Sequence, residues 1–129
     1  MLSHHHIRPL THADGPLLDR VMDGMGLQSR YQRYHVPKPA LTQRDRDYLT
    51  AVDGTDHLAL IALDSDGEPL GVARAVRLRE DGEAAELGVE VIDARHGQGL
   101  GSELTARLAE CATAVGIRRL VARVLAHSP

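Results

Sequence analysis

The segment Arg95-His96-Gly97-Gln98-Gly99-Leu100-Gly101-Ser102 constrains this chain most. It follows a stretch of alternating apolar and polar residues and precedes an apolar stripe of helical period, so it reads as a loop between a strand and a helix. Three glycines at alternate positions let the backbone curl and turn successive N–H groups toward a ligand. The helix that opens here adds unpaired first-turn N–H groups and the positive end of its dipole. Together these make a site for a phosphate or pyrophosphate. A plain glycine-rich connection is the simpler alternative that the loop alone leaves open.

Two common phosphate loops do not fit. A P-loop ends in Gly-Lys-Ser/Thr, and the sole lysine of the chain is Lys38. A Rossmann fingerprint needs glycine where Ser102 stands and an acidic residue ending the next strand, where Leu125-Ala126 stands.

The rest of the chain supplies the context. Its 129 residues suffice for a single domain over residues 1–129 with one core. With three Tyr, no Phe and no Trp, that core must be aliphatic, and base-stacking on aromatics is disfavoured. A net charge of −3 gives no general nucleic-acid footprint. The single cysteine, Cys111, precludes an internal disulfide and fits a reducing, cytoplasmic setting. Its helical position predicts a buried core thiol. No apolar run reaches membrane-spanning length, and the first residues lack a secretory h-region. His4–His6 reads as a flexible start, and no metal site is expected.

Periodicity predicts the elements. Ile7–Leu10 is a short strand. Thr11 caps a helix running to about Asp23, with Asp14 three residues on and Gly24 and Gly26 ending it. Ser29–Pro39 is irregular because of Pro37 and Pro39. Thr42 caps a helix over Gln43–Val52. His57–Leu63, Leu70–Leu78 and Ala85–Ile92 form a meander with turns at Asp66-Gly67 and Asp81-Gly82. In its middle strand Leu70, Val72, Val76 and Leu78 share one face, and Gly71, Ala73 and Ala75 the other. In its last strand Leu87, Val89 and Val91 share one face, and Glu86, Gly88 and Glu90 the other. A helix spans about Gly99 to Val115 on the stripe Leu100, Leu104, Leu108, Cys111 and Val115, with Glu103 and Arg107 as an i,i+4 pair. Gly116 ends it, and Ile117–Leu125 is a final strand. The order β-α-α-β-β-β-α-β gives an α+β fold, a meander plus one parallel crossover.

His96-Gly97-Gln98-Gly99-Leu100-Gly101 resembles the Gln/Arg-x-x-Gly-x-Gly/Ala pyrophosphate loop of the GNAT superfamily of N-acetyltransferases, with His96 in place of the usual Gln or Arg. Arg95 stands one position earlier as a source of charge. Ser29-Arg30-Tyr31, Leu41-Thr42, Val52-Asp53, His57-Leu58-Ala59-Leu60 and Gly71-Val72-Ala73-Arg74 are similar to the acetyltransferase domains of bacterial protein-lysine acetyltransferases. The resemblance covers about Ile7 to Pro129. Those domains are sometimes fused to nucleotide-sensing or acyl-CoA synthetase-like modules, for which this chain has no room.

The resemblance implies a mixed, mostly antiparallel sheet flanked by helices and acetyl-CoA as cosubstrate. It implies that the backbone of Val89, Glu90 and Val91 pairs with the pantetheine arm. His96, Gly97, Gln98, Gly99, Leu100, Gly101 and Ser102 then hold the pyrophosphate, and Ser128 stands where the family usually has a cofactor-contacting Asn. Glu86 matches the catalytic glutamate position. Its competing reading is a solvated sheet-edge charge. Glu90, on the same face, is a substitute base, an amine contact or a surface charge. Tyr31 and Tyr34 line the acceptor pocket or bury their rings. His57 reads as structural, and Arg74 as a balance to the acidic face.

The family pattern continues past the fifth strand with a helix, which commonly carries a Tyr general acid, and two more strands. Against that pattern the chain reads either as a truncated form or as one whose exposed fifth strand is covered by another chain, and a homo-oligomer, a dimer or higher, is the expectation. The implied function is acetyl transfer to a primary amine, possibly a protein lysine. The alternatives are a CoA-binding or acyl-CoA-sensing fragment with little turnover, and a small-molecule amine acetyltransferase.

Overall fold

The computed structural model describes residues 4–26 and 40–122. The elements run β1 (His5–Pro9), α1 (Gly15–Asp23), α2 (Gln43–Leu49), β2 (His57–Asp64), β3 (Pro69–Arg77), β4 (Ala84–Val91), α3 (Leu100–Ala114) and β5 (Arg119–Ala122). This is the order the periodicity predicts. Ser29–Pro39, with Tyr31 and Tyr34, and Ser128 lie outside the described residues. No helix among the described residues is long and apolar enough to cross a membrane.

The strands form one sheet in sequence order, β1-β2-β3-β4-β5. The first three pairings are antiparallel, and β4 pairs with β5 in parallel after the crossover through α3. Helix α3 covers one face. Leu100, Leu104, Leu108 and Ala112 pack there against Leu58, Leu60, Ala73 and Ala75. Helix α1 covers the other face, where Leu18, Val21 and Met22 meet Ala59, Ile61 and Val72. Burial of the Leu, Val, Ile and Met side chains, at roughly 1.5–3 kcal/mol each, replaces the missing aromatic core.

Local chemistry fixes the element starts. Thr11 and Asp14 form a reciprocal capping box, and so do Thr42 and Asp45 at α2. The Thr11 cap opens a short 3-10 turn, His12–Asp14, ahead of α1. Asp14 also accepts two bonds from the Arg8 guanidinium, at 2.8 and 2.9 Å, tying β1 to α1. That pairing holds the Asp14 carboxyl below its ordinary range. Arg77 secures the far end of the sheet. It donates to Asp56 Oδ1 at 2.8 Å, to Thr55 O at 2.9 Å, to Val115 O at 2.8 Å, and to the Gly82 carbonyl.

Three expectations are corrected. His5 and His6 are not a flexible start, because they pair with Asp64 and Leu63 as part of β1. Cys111 is exposed. The stripe of α3 advances by four each time, so Ala112 enters the core instead. Leu70 packs with Ala73 and Ala75 under α3, not with Val72 on the opposite face. The β2–β3 register shifts between Ala62 and Leu63, which breaks the alternation there.

Candidate active site

The glycine loop leaves β4 through a 3-10 turn, Asp93–Arg95, and reaches α3 at Leu100. Gly97 and Gly99 adopt φ +76° and +82°, the left-handed region that glycine enters without cost. A Cβ added at either would meet nothing within 4 Å, so the backbone is open to a ligand on this side. The Glu103 N–H bonds the Gly99 carbonyl at 3.0 Å, which starts the helical ladder. The amides of Leu100, Gly101 and Ser102 precede that bond and have no carbonyl four residues back within the helix. Gly99 as N-cap offers no side-chain acceptor. These donors, with the helix dipole, fit a pyrophosphate.

Side chains stiffen the loop from behind. Arg95 Nε donates to Gln98 Oε1 at 2.8 Å, so this arginine braces the turn. His96 Nε2 lies 2.8 Å from Val91 O, and since a carbonyl only accepts, Nε2 carries the proton. The ring of His96 is therefore folded back onto β4. Gly101 rests on Val89 and Val91: a Cβ there would sit 3.6 and 3.7 Å from their methyls, an ordinary contact. The opening turn of α3 is thus seated on the end of β4.

Strand β4 is an inner strand, so Glu86 is not a sheet-edge charge. It is half-buried on the face opposite α3 and pairs in register with Val76. Glu90 is 7% exposed, which corrects its reading as a surface charge. Its register partner Val72 belongs to the α1-side core. Leu87, Val89 and Val91 turn to α3, as the alternation predicts. Glu86 and the loop stand at opposite ends of β4. Five steps along the strand separate Glu86 from Val91, roughly 16 Å. A ligand held by the loop must therefore extend along β4 to come near Glu86.

Arg74 lies on the same face as both glutamates, opposite Gly88, and is 2% exposed. Its Nη1 donates to Leu49 O at 2.7 Å, a terminal carbonyl of α2, and to His57 Nε2 at 2.7 Å. A guanidinium only donates, so His57 Nε2 accepts and the ring is neutral with its proton on Nδ1. Burial, reinforced by the Arg74 charge, lowers the His57 pKa below its ordinary 6.5 and keeps it so. The Tyr48 ring lies 5.5 Å from that of His57. His57 and Arg74 thus join α2, β2 and β3 beneath the acidic strand. Among the described residues no group of three or more His, Cys, Asp or Glu is placed to hold a metal.

The sequence profile of the acetyltransferase (GNAT) domain family matches residues 5–128. The chain belongs to that family. It is 32% identical over 125 residues to the acetyltransferase Pat of Mycolicibacterium smegmatis, covering 93% of this chain and 36% of that protein. The chain thus spans about a third of that relative's length. The crystal structure of the GNAT domain of S. lividans PAT superposes with a TM-score of 0.89 at 30% identity, covering 95% of this chain and 73% of that one. A GNAT-family acetyltransferase from Streptococcus pneumoniae shares the fold at 20% identity and a TM-score of 0.73, covering 97% and 77% of the two chains.

The structure also brings in a residue that sequence reading passed over. Asp93 Oδ2 accepts the Gly26 N–H at 2.7 Å, and the Asp93 N–H donates to Gly24 O at 2.8 Å. The end of α1 is thereby fastened to the first residue of the loop. Gly24 and Gly26 are close-approach positions. A Cβ at Gly24 would lie 2.5 Å from Ile92 Cγ2, and one at Gly26 2.6 Å from Asp93 Oδ2. Neither role required a left-handed φ, so the only sequence sign was a pair of glycines that served equally well as helix stops.

Proposed function

We propose that this domain transfers the acetyl group of acetyl-CoA to a primary amine, and that the amine is the side chain of a protein lysine. One observation carries the reading. A single inner strand ends in an open glycine loop and bears a half-buried carboxylate, Glu86, at its other end. The likeness of the Ser29–Tyr31, His57–Leu60 and Gly71–Arg74 segments to bacterial protein-lysine acetyltransferases supports the lysine acceptor.

In this reading the amides of Gly97, Gln98, Gly99, Leu100, Gly101 and Ser102 hold the pyrophosphate, with His96 bracing the turn. The outward backbone of Val89 and Val91, flanking Glu90, guides the pantetheine arm along β4. Acetyl-CoA supplies the activated thioester. A lysine side chain has a pKa near 10.4 and is mostly protonated at neutral pH, so a base must take its proton before it can attack. Glu86 takes that proton, directly or through a water. Glu90, deeper on the same face, adds negative potential that favours an incoming ammonium group. Tyr31 and Tyr34 are assigned to the acceptor pocket and Ser128 to the cofactor on the sequence pattern.

The acceptor is tested by competition. Lysine-containing peptides, a polyamine and an aminoglycoside are incubated together with acetyl-CoA and this protein, and products are read by mass spectrometry. The expected result is acetylation at lysine Nζ of the peptides, with kcat/KM exceeding that of either small amine by about tenfold or more. Preferential acetylation of the polyamine or the aminoglycoside would overturn the protein-lysine assignment.

A further inference from the structure

We infer that Asp93 is a positioning residue that couples the end of α1 to the CoA loop, so that occupancy of the loop is felt at Gly26. The inference rests on the reading of residues 96–102 as the CoA site. Asp93 makes contacts in both directions. Toward α1, its N–H bonds Gly24 O and its Oδ2 receives the Gly26 N–H. Toward the loop, its carbonyl receives the His96 N–H at 3.1 Å, and its Oδ1 lies 3.6 Å from His96 Nε2. That same imidazole nitrogen donates to Val91 O. The carbonyl of Val91 points away from β3, because the neighbouring Ile92 N–H is the one that bonds Leu70 O across the ladder. It therefore faces the side along which the pantetheine arm is assigned.

The close approach at Gly24 and Gly26 leaves little slack. Ile92 presses on Gly24, and its side chain packs against both core clusters. A shift of the turn Asp93–Arg95 reaches the α1 end through two bonds, Asp93 N–H to Gly24 O and Gly26 N–H to Asp93 Oδ2. In sequence, Gly26 precedes Tyr31 and Tyr34, which the family resemblance assigns to the acceptor pocket. Asp93 thereby holds the Gly24–Gly26 backbone on one side and the His96 turn of the CoA loop on the other.

The test uses the full chain and CoA as the probe. Calorimetry gives CoA affinity, and hydrogen exchange gives protection of the Met25 and Gly26 amides with and without saturating CoA. In the wild-type protein CoA is expected to slow exchange at Gly26 by about fivefold or more, the lower range of ordinary site-to-site coupling. Asp93→Ala should still bind CoA but lose that CoA-dependent protection, whereas Asp93→Asn, which keeps an acceptor oxygen for the Gly26 N–H, should restore it. Gly26→Ala, which drives a methyl into the Asp93 carboxylate, should uncouple in the same way and serves if Asp93→Ala does not fold. A purely structural Asp93 predicts faster exchange in Asp93→Ala with no CoA-dependent change in the wild type. That result, or full CoA-dependent protection retained in Asp93→Ala or Gly26→Ala, overturns the coupling. Absence of CoA binding to the wild-type protein would overturn the underlying site reading as well, which the calorimetry separates from a failure of coupling alone.

Discussion

Gly71 and Gly101 both face α3-side packing, yet one tolerates a methyl and the other does not. A Cβ at Gly71 would lie 2.7 Å from the Glu90 carbonyl and 3.2 Å from Val91 Cγ2, so backbone on β4 would have to move. Gly71→Ala is expected to cost about 1–3 kcal/mol in urea denaturation, as overpacking of a filled site does. Gly101→Ala meets only ordinary contacts in the first turn of α3 and gains helix propensity, so stability should stay level or rise by up to about 1 kcal/mol. Equal losses at the two positions would contradict the packing described. Sequence alternation correctly assigned Gly71 to the α3 face, but the squeeze against β4 depends on strand separation and was invisible in one dimension. Cys111 failed for a related reason: adjacent helix positions differ little in pattern, and the local fit under the sheet chose Ala112.

Elements meet at buried polar groups, and the His57–Arg74–Leu49 network joins three of them. Its stability has a defined pH dependence. In the unfolded chain His57 titrates near 6.5, while in the native state its pKa is lowered, chiefly by burial. As pH falls through 6.5 the unfolded chain binds a proton that the native ring refuses, so stability present above that pH is progressively lost below it. His57→Gln keeps an acceptor for Arg74 but cannot titrate. It should be less stable than wild type near pH 7.5, with the gap narrowing near pH 5.5, as read from urea midpoints. A gap that stays constant would show that His57 titrates alike in both states. The strands, helices and their order were legible because apolar period and capping residues are local signals, as in the two Thr–Asp capping boxes. The fastening of α1 to the loop was not, because Gly26 and Asp93 are 67 residues apart and each had a sufficient local explanation.

Across the whole molecule, β4 organises the chemistry. It is flanked by β3 and β5, seats the start of α3 on Val89 and Val91, ends in the glycine loop, and carries Glu86 on the face away from α3. Binding and proton transfer are thereby assigned to different ends of one strand and should separate on mutation. The direct test is Glu86→Gln, compared with wild type for CoA affinity by calorimetry and for thiol release from acetyl-CoA in the presence of an acetylatable lysine peptide. The expected result is an unchanged Kd for CoA and a kcat reduced by about 10²-fold or more, the usual effect of losing a general base. Wild-type turnover in Glu86→Gln, or CoA affinity lost together with turnover, would contradict it.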